Sequence, residues 1–224
     1  MLTFNIYDRI FFVRGERYGT AFTLDVDGRQ YLISARHVVG EAQSDVQLKV
    51  FLNKQWTELP TSMVGVGRGE IDIVVLAPTT RLSEDIELVP SLSLVLGQDV
   101  FFASFPLLMH ANGGELMYGR PLPFVKKGTL SAGWDPDNPI KYLYVDAISN
   151  KGFSGGPLVF SEHTSGQLKV AAVVLKFKTE EEPVLDANGE DTGLKVKYNS
   201  GFLLAYGINH ALDIICRNPV GLPL

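Results

Sequence analysis

TAFTLDVDGRQYLISARHVV, residues 20–39, decides the fold class. Val, Phe, Ile, Tyr and Thr crowd its two arms, 20–26 and 29–35, as they do in pleated, half-buried strands. Asp27-Gly28 stands between the arms, and such a pair tolerates the positive φ of a tight two-residue turn. The stretch therefore predicts an antiparallel hairpin that runs on into His37. Similar short runs recur on both sides: 3–7, 10–14, 46–52 and 71–77, then 99–105, 123–132, 141–147, 157–160, 168–177 and 200–207. Many strands with few helical segments predict an all-β protein of sandwich or barrel type. Helical periodicity is confined to the end of the chain. There Ile208, Leu212 and Ile215 share a face, Asn209 is placed as an N-cap and Pro219 stops the segment, which predicts a helix over 209–217. Cys216 reads as a small buried or half-buried hydrophobe on that helix. Residues 81–97, with Pro90, read as the connection between two halves, and the acidic stretch 179–193 reads as a solvated hairpin turning at Asn188-Gly189.

The chain has 224 residues, 46% hydrophobic and 20% charged, with a net charge of −5. That is enough for a sizeable core. The acidic balance argues against nucleic acid as a partner, because phosphate binding draws on a basic surface. One cysteine excludes an intramolecular disulfide and a cysteine-based zinc cluster, so no metal or cofactor is expected. No apolar run approaches the length that spans a bilayer. Asp8, Arg9 and Arg14 break up the N-terminal segment, so it does not read as a signal peptide. These features lead to the expectation of a cytoplasmic protein. Gly65, Gly67 and Gly69 lack the strand–loop–helix context of a phosphate site.

The strongest chemical signal is GFSGGP, residues 152–157. Glycines on both sides of Ser154 leave space for a tetrahedral adduct and let backbone N–H groups converge on a developing oxyanion. Taken alone, the hexapeptide is also an ordinary turn. His37 ends a hydrophobic strand, and Asp72 is a lone acid entering the apolar run IVVLA, where it needs a hydrogen-bond partner. The chain order His, Asp, Ser is one of the known arrangements of a nucleophilic triad.

With these residues in view the sequence resembles the trypsin-like serine peptidases, and within them the Deg/HtrA-type branch. The likeness runs through 20–39, EIDIVVLA (70–77), LGQDVFFASFP (96–106), KKGTLSAG (126–133) and YVDAISNKGFSGGPLVF (144–160). It implies two antiparallel six-stranded β-barrels with a short C-terminal helix. Residues 1–90 would form the first barrel, carrying His37 and Asp72. Residues 91–224 would form the second, carrying Ser154 and the helix 209–217. The implied activity is that of a serine endopeptidase acting on a protein or peptide. Ser154 would be the nucleophile, His37 the base and Asp72 its orienter, with the N–H groups of Gly152 and Ser154 as the oxyanion hole. The implied substrate pocket is Ile148, Ser149, Lys151, Leu175 and Phe177, uncharged at its floor. Two positions depart from the family: Phe153 stands where digestive relatives carry an aspartate, and Leu175 where many carry a hydroxyl beside the catalytic aspartate. Control by a regulatory partner acting on the loops 111–122 or 179–193 follows from Phe153.

Two rivals remain at this point. Gly152 to Gly156 also fits the GxSxG elbow, for which Asp186 and His210 could complete the order Ser, Asp, His, but GGPLVF is a poor helix start. A catalytically silent protein of the same fold, acting by binding alone, is the other.

Overall fold

Asp27 and Gly28 both take positive φ, 49° and 69°, as a tight two-residue hairpin requires. In this computed structural model the hairpin joins the second and third of six strands: β1 (Ile10–Arg14), β2 (Tyr18–Val26), β3 (Arg29–Ala35), β4 (Asp45–Leu52), β5 (Gln55–Val66) and β6 (Ile73–Pro78). They follow one another in space as β3-β2-β1-β4-β5-β6, and β6 returns to pair with β3, closing an antiparallel barrel. The structure describes residues 2–40, 45–84, 86–114, 117–133 and 137–224; positions 115 and 116 of the 111–122 loop lie outside the described residues.

The second half repeats the plan. After the short β7 (Val89–Pro90) come β8 (Asp99–Ser104), β9 (Phe124–Ala132), β10 (Tyr142–Asp146), β11 (Pro157–Ser161), β12 (Leu168–Leu185) and β13 (Asp191–Gly207). The order β11-β8-β9-β10-β13-β12 closes into a ring through β11–β12, and β7 lies parallel against β12. A final pair, β14 (Leu222–Pro223), clips onto β3. The expected all-β architecture of two six-stranded barrels is the observed one. Phe12, Phe22, Ile33 and Val75 from the first barrel meet Phe105, Val159, Val173 and Tyr206 from the second in one buried cluster. Apolar burial of this kind, about 25 cal/mol per Å², fixes how the barrels sit together.

Among the described residues three short α-helices accompany the strands, α1 (Phe4–Asp8), α2 (Arg36–Val39) and α3 (Asn209–Arg217), with one 3-10 turn at Pro106–Leu108. α3 has the expected bounds, though Ile208 rather than Asn209 is its N-cap. It buries Ala211, Ile214 and Ile215 and packs against β5 and β6. That face turns Cys216 outward, so the cysteine is exposed rather than buried. Among the described residues no helix is long and apolar enough to cross a membrane.

Three elements differ from expectation, each for a tertiary reason. Residues 3–7 form most of α1 instead of a strand, because the following Asp8 and Arg9 are drawn inward by partners far along the chain. Asp8 pairs with Arg120 and accepts from the Glu84 N–H at 2.8 Å. Arg9, 1% exposed, binds Asp25 at 2.7 Å and donates to the Ile86 carbonyl at 2.6 Å. β5 escapes notice because Pro60 sits within it and its outer face is polar; only Leu59, Thr61 and Val64 turn fully inward. The acidic stretch 179–193 is an exposed hairpin, as expected, but the strands β12 and β13 run on through it to a turn that Asp186 caps by accepting from the N–H groups of Asn188 and Glu190.

Arg9→Met should lower stability by about 3–5 kcal/mol, because it removes the buried guanidinium that pairs with Asp25 and satisfies the Glu84 and Ile86 carbonyls. Chemical denaturation of the purified variant measures this; a loss under 1 kcal/mol would mean the cluster behaves as a surface pair.

Candidate active site

The closure of the first barrel builds one side of the site. β3 and β6 pair with Ala35 opposite Ile73. His37 lies two residues beyond that pair on one strand and Asp72 one residue before it on the other, so the register alone brings them together. Arg36 N–H donates to the Asp72 carbonyl (3.2 Å) and His37 N–H to Asp72 Oδ1 (2.9 Å). The imidazole Nδ1 is hydrogen-bonded to the other oxygen, Asp72 Oδ2. Val38 anchors the turn in the barrel, fully buried against Gly19, where a Cβ would lie 2.4 Å from its methyl.

Burial by itself would raise the Asp72 carboxyl. The hydrogen bond and charge of His37, the His37 N–H and the charge of Arg36 outweigh it and hold the group below its ordinary value of 3.8. Across the cleft Tyr206 donates its hydroxyl to the Glu70 carbonyl at 2.5 Å, steadying the strand entry from the second barrel. Burial, then its hydrogen bond and coupling with Tyr142, push that phenol well above its usual value. Tyr206 was not foreseen; a tyrosine in a strand carries no sign of the bond it will make.

The second barrel supplies Ser154. Gly155 N–H donates to the Val174 carbonyl and Val174 N–H to the Gly156 carbonyl, both at 2.9 Å, which fastens the segment to β12 just where β11 begins. Ser154 Oγ donates to the Leu175 carbonyl at 2.8 Å. Phe153, 1% exposed, lies in the core of the second barrel, edge-on to Phe102 with ring centroids 5.1 Å apart. It holds this position by packing, where a carboxylate would need an ion pair.

The carbonyls of this segment are all engaged. Ile148 O accepts from Lys126 Nζ (2.7 Å) and Ser149 O from Asn199 Nδ2 (2.7 Å). Asn150 O accepts from Phe153 N–H (3.4 Å), and Lys151 O from Leu107 N–H (2.9 Å). Gly152 O accepts from Thr20 Oγ1 (3.2 Å), Phe153 O from Ser104 Oγ (3.1 Å) and Ser154 O from Thr20 N–H (3.3 Å). Among the described residues neither the Gly152 nor the Ser154 N–H has an acceptor. Gly152 takes φ of +101°, and a Cβ there would lie 2.5 Å from the Phe105 carbonyl, so only glycine suits the position.

His37, Asp72, Gly152 and Ser154 line one cleft of about 700 Å³ between the barrels. Of the expected pocket, Ser149, Lys151, Leu175 and Phe177 line it too. Ile148 does not: Ser149 turns inward (2% exposed), which leaves Ile148 facing solvent at 65%. Thr179, Lys176 and Arg17 also border the cleft. The two remaining rival residues lie elsewhere. Asp186 is at the tip of the exposed hairpin, and His210 is on α3, accepting from Lys141 N–H at 2.9 Å. Among the described residues no group of side chains could hold a metal ion.

The description of a trypsin-like peptidase domain matches residues 19–168, more than half the chain and a range within which His37, Asp72 and Ser154 fall. Solved structures agree in fold. The Rv3671c protease of M. tuberculosis, in an inactive form, is 15% identical with a TM-score of 0.59, over 95% of this chain and 90% of that one. The HtrA-type protease AlgW, solved with a tripeptide, is 17% identical with a TM-score of 0.60, over 95% of this chain and 60% of that one.

Gly155 takes φ of +84°, and a Cβ there would meet the Thr20 carbonyl at 2.2 Å and Ser34 Oγ at 2.7 Å. Gly155→Ala should therefore destabilise the chain by at least the roughly 1–3 kcal/mol of a strained backbone. It should also perturb the cleft more than Gly133→Ala, whose added Cβ meets nothing. Unfolding midpoints of the two variants compare them directly.

Proposed function

The chain belongs to the trypsin-like peptidase family and is by class a serine peptidase, and we propose that it cleaves bonds within protein or peptide substrates through a triad of His37, Asp72 and Ser154. In this reading Ser154 Oγ exchanges its bond to the Leu175 carbonyl for one to His37 and attacks the scissile carbonyl. His37 takes the hydroxyl proton and returns it to the leaving amine. Asp72 fixes the tautomer with the proton on Nδ1 and stabilises the imidazolium. Water then repeats the sequence on the acyl-enzyme. The unpaired Gly152 and Ser154 N–H groups receive the oxyanion, each worth about 2.7–4 kcal/mol on the scale of a known oxyanion-hole donor.

The observation that carries this reading is the bidentate seating of His37 on Asp72 at the edge of the cleft that also holds Ser154. A substrate strand would lie along Leu175–Phe177, with its P1 side chain toward Ser149. Among the described residues no carboxylate lines that side of the cleft, so an uncharged, apolar P1 residue fits best. The 179–193 ribbon, exposed and continuous with the substrate strand, is the surface through which a regulatory partner would act. The exposed, unpaired Cys216 suits a reducing compartment such as the cytoplasm.

The Ser154–Leu175 bond favours one second reading, a silent protein of this fold in which that bond persists. A fluorophosphonate probe separates the two. Labelling that is lost in Ser154→Ala, together with loss of peptide hydrolysis and an unchanged unfolding midpoint, is expected. No labelling of the wild-type chain would support the silent reading.

The pH profile offers a second test. Asp72 is depressed, so its ionised form stabilises the fold above the unfolded value and loses that contribution only as pH falls through the lowered value. It stays charged throughout the neutral range. A general base must be neutral to accept a proton, so activity should fall toward acid pH although Asp72 stays ionised, and Asp72→Asn should reduce kcat by about 10⁴-fold. A flat profile from weakly acid to alkaline pH would remove the base from His37.

A further inference from the structure

β9 carries two adjacent lysines with different surroundings. Lys127 faces outward and pairs with Asp99 at 2.7 Å, both side chains more than half exposed. Lys126 lies opposite Phe102 in the β8–β9 register, and cross-strand partners share a face. Its side chain therefore follows Phe102 toward the segment that carries Ser154. Among the described residues no carboxylate pairs with it. Its Nζ donates instead to the Ile148 carbonyl (2.7 Å) and to Asn150 Oδ1 (2.6 Å), and stands 5.4 Å from the Phe153 ring centroid.

These three contacts span the stretch leading into Ser154. Ile148 O fixes its start, the Asn150 side chain its middle, and the ring of Phe153 is the residue between Gly152 and Ser154. An ammonium lying near a ring is attracted when placed over its face, and hydrogen bonds from a charged donor are the stronger kind. Burial without a carboxylate pulls the Lys126 ammonium below the usual lysine range, so its contacts to neutral groups are what hold it there charged.

We propose that Lys126 is the positioning residue of the nucleophile segment: one cation, presented from β9, ties Ile148, Asn150 and Phe153 so that the Gly152 and Ser154 N–H groups stay turned to the cleft. The inference rests on reading those N–H groups as the oxyanion site. Lys126 touches no reacting atom; it acts through the backbone it holds. The segment thus has an internal cation for its support, supplied by the barrel itself.

The test compares Lys126→Met, which keeps the apolar stem, with Lys126→Arg and with Lys127→Met as a surface control, all in the full chain. Steady-state hydrolysis of a peptide ester is measured beside NMR-detected amide exchange at Leu107, Phe153 and Gly156, whose N–H groups close on the segment, and beside the thermal midpoint. Lys126→Met should lower kcat about 10- to 100-fold, the cost of a small misplacement, with KM near wild type. It should speed exchange at those three amides and not across both barrels. Lys126→Arg should restore most of both, and Lys127→Met should match wild type. Wild-type exchange in Lys126→Met overturns the proposal whatever kcat does. So does unchanged kcat when exchange has quickened, an exchange change spread over the whole chain, or an equal loss in Lys127→Met. If the wild-type chain neither hydrolyses the ester nor labels at Ser154, the peptidase reading fails by itself, and the exchange comparison still decides whether Lys126 holds the segment.

Discussion

Seven consecutive carbonyls, from Ile148 to Ser154, each accept a hydrogen bond, and the rest of the site depends on that constraint. A peptide has two ends that point oppositely. Fixing the carbonyl of Lys151 on Leu107 N–H therefore fixes the N–H of Gly152 facing the other way, and fixing Phe153 O on Ser104 does the same for Ser154 N–H. Turning the first peptide over would break one bond and turning the second would break two, from Ser104 Oγ and Gly156 N–H, each leaving a donor unmatched at a loss of about 1–3 kcal/mol if buried. The two free N–H groups are thus a consequence of where the carbonyls go.

The partners come from both barrels, which explains why the cleft lies between them. Thr20 of β2 donates its N–H to Ser154 O and its hydroxyl to Gly152 O, and the same hydroxyl accepts from Phe105 N–H. One residue of the first barrel so joins two segments of the second. The opposite wall has no such dependence. His37 and Asp72 are brought together inside the first barrel by the β3–β6 register, and a slip of one residue would reverse the side chains of a strand.

Much of this was legible in the sequence, and what was not has a common cause. The Asp27-Gly28 turn, most strands and α3 follow from local pattern. His37, Asp72 and Ser154 stand out because each breaks its surroundings: a basic residue at a strand end, an acid entering an apolar run, a serine among glycines. Thr20, Ser104, Leu107, Lys126 and Asn199 break nothing locally. Their importance lies in which carbonyl stands opposite once the barrels have closed, and no periodicity encodes that. Ile148 was misplaced for a related reason, since the side of a chain that faces a pocket is set by its hydrogen bonds, here to Lys126 and Asn199 on successive carbonyls. α1 and β5 failed because burial of Asp8 and Arg9, and the tolerance of β5 for Pro60, are decided by distant partners.

Phe153 shows how a fold can reach one arrangement by another route. A carboxylate buried at that position would need a cationic partner. A phenyl ring in the core of the second barrel is seated by the same burial that folds the barrel, against Phe102, and needs only that the barrel close. The support of the Ser154 segment is then coupled to folding of β8, β9 and β11 and to the docking of Thr20. One part of that support lies at the surface: the Leu107–Met109 turn, whose side chains are exposed although its backbone holds the Lys151 carbonyl. Leu107 and Leu108 both adopt positive φ, 51° and 64°, a conformation that costs a non-glycine residue about 1–3 kcal/mol. The strain is sustained by Leu107 N–H on Lys151 O and by Met109 N–H on Pro106 O. A contact that covered these leucines would strengthen the hold on Lys151, and one that drew them away would release it.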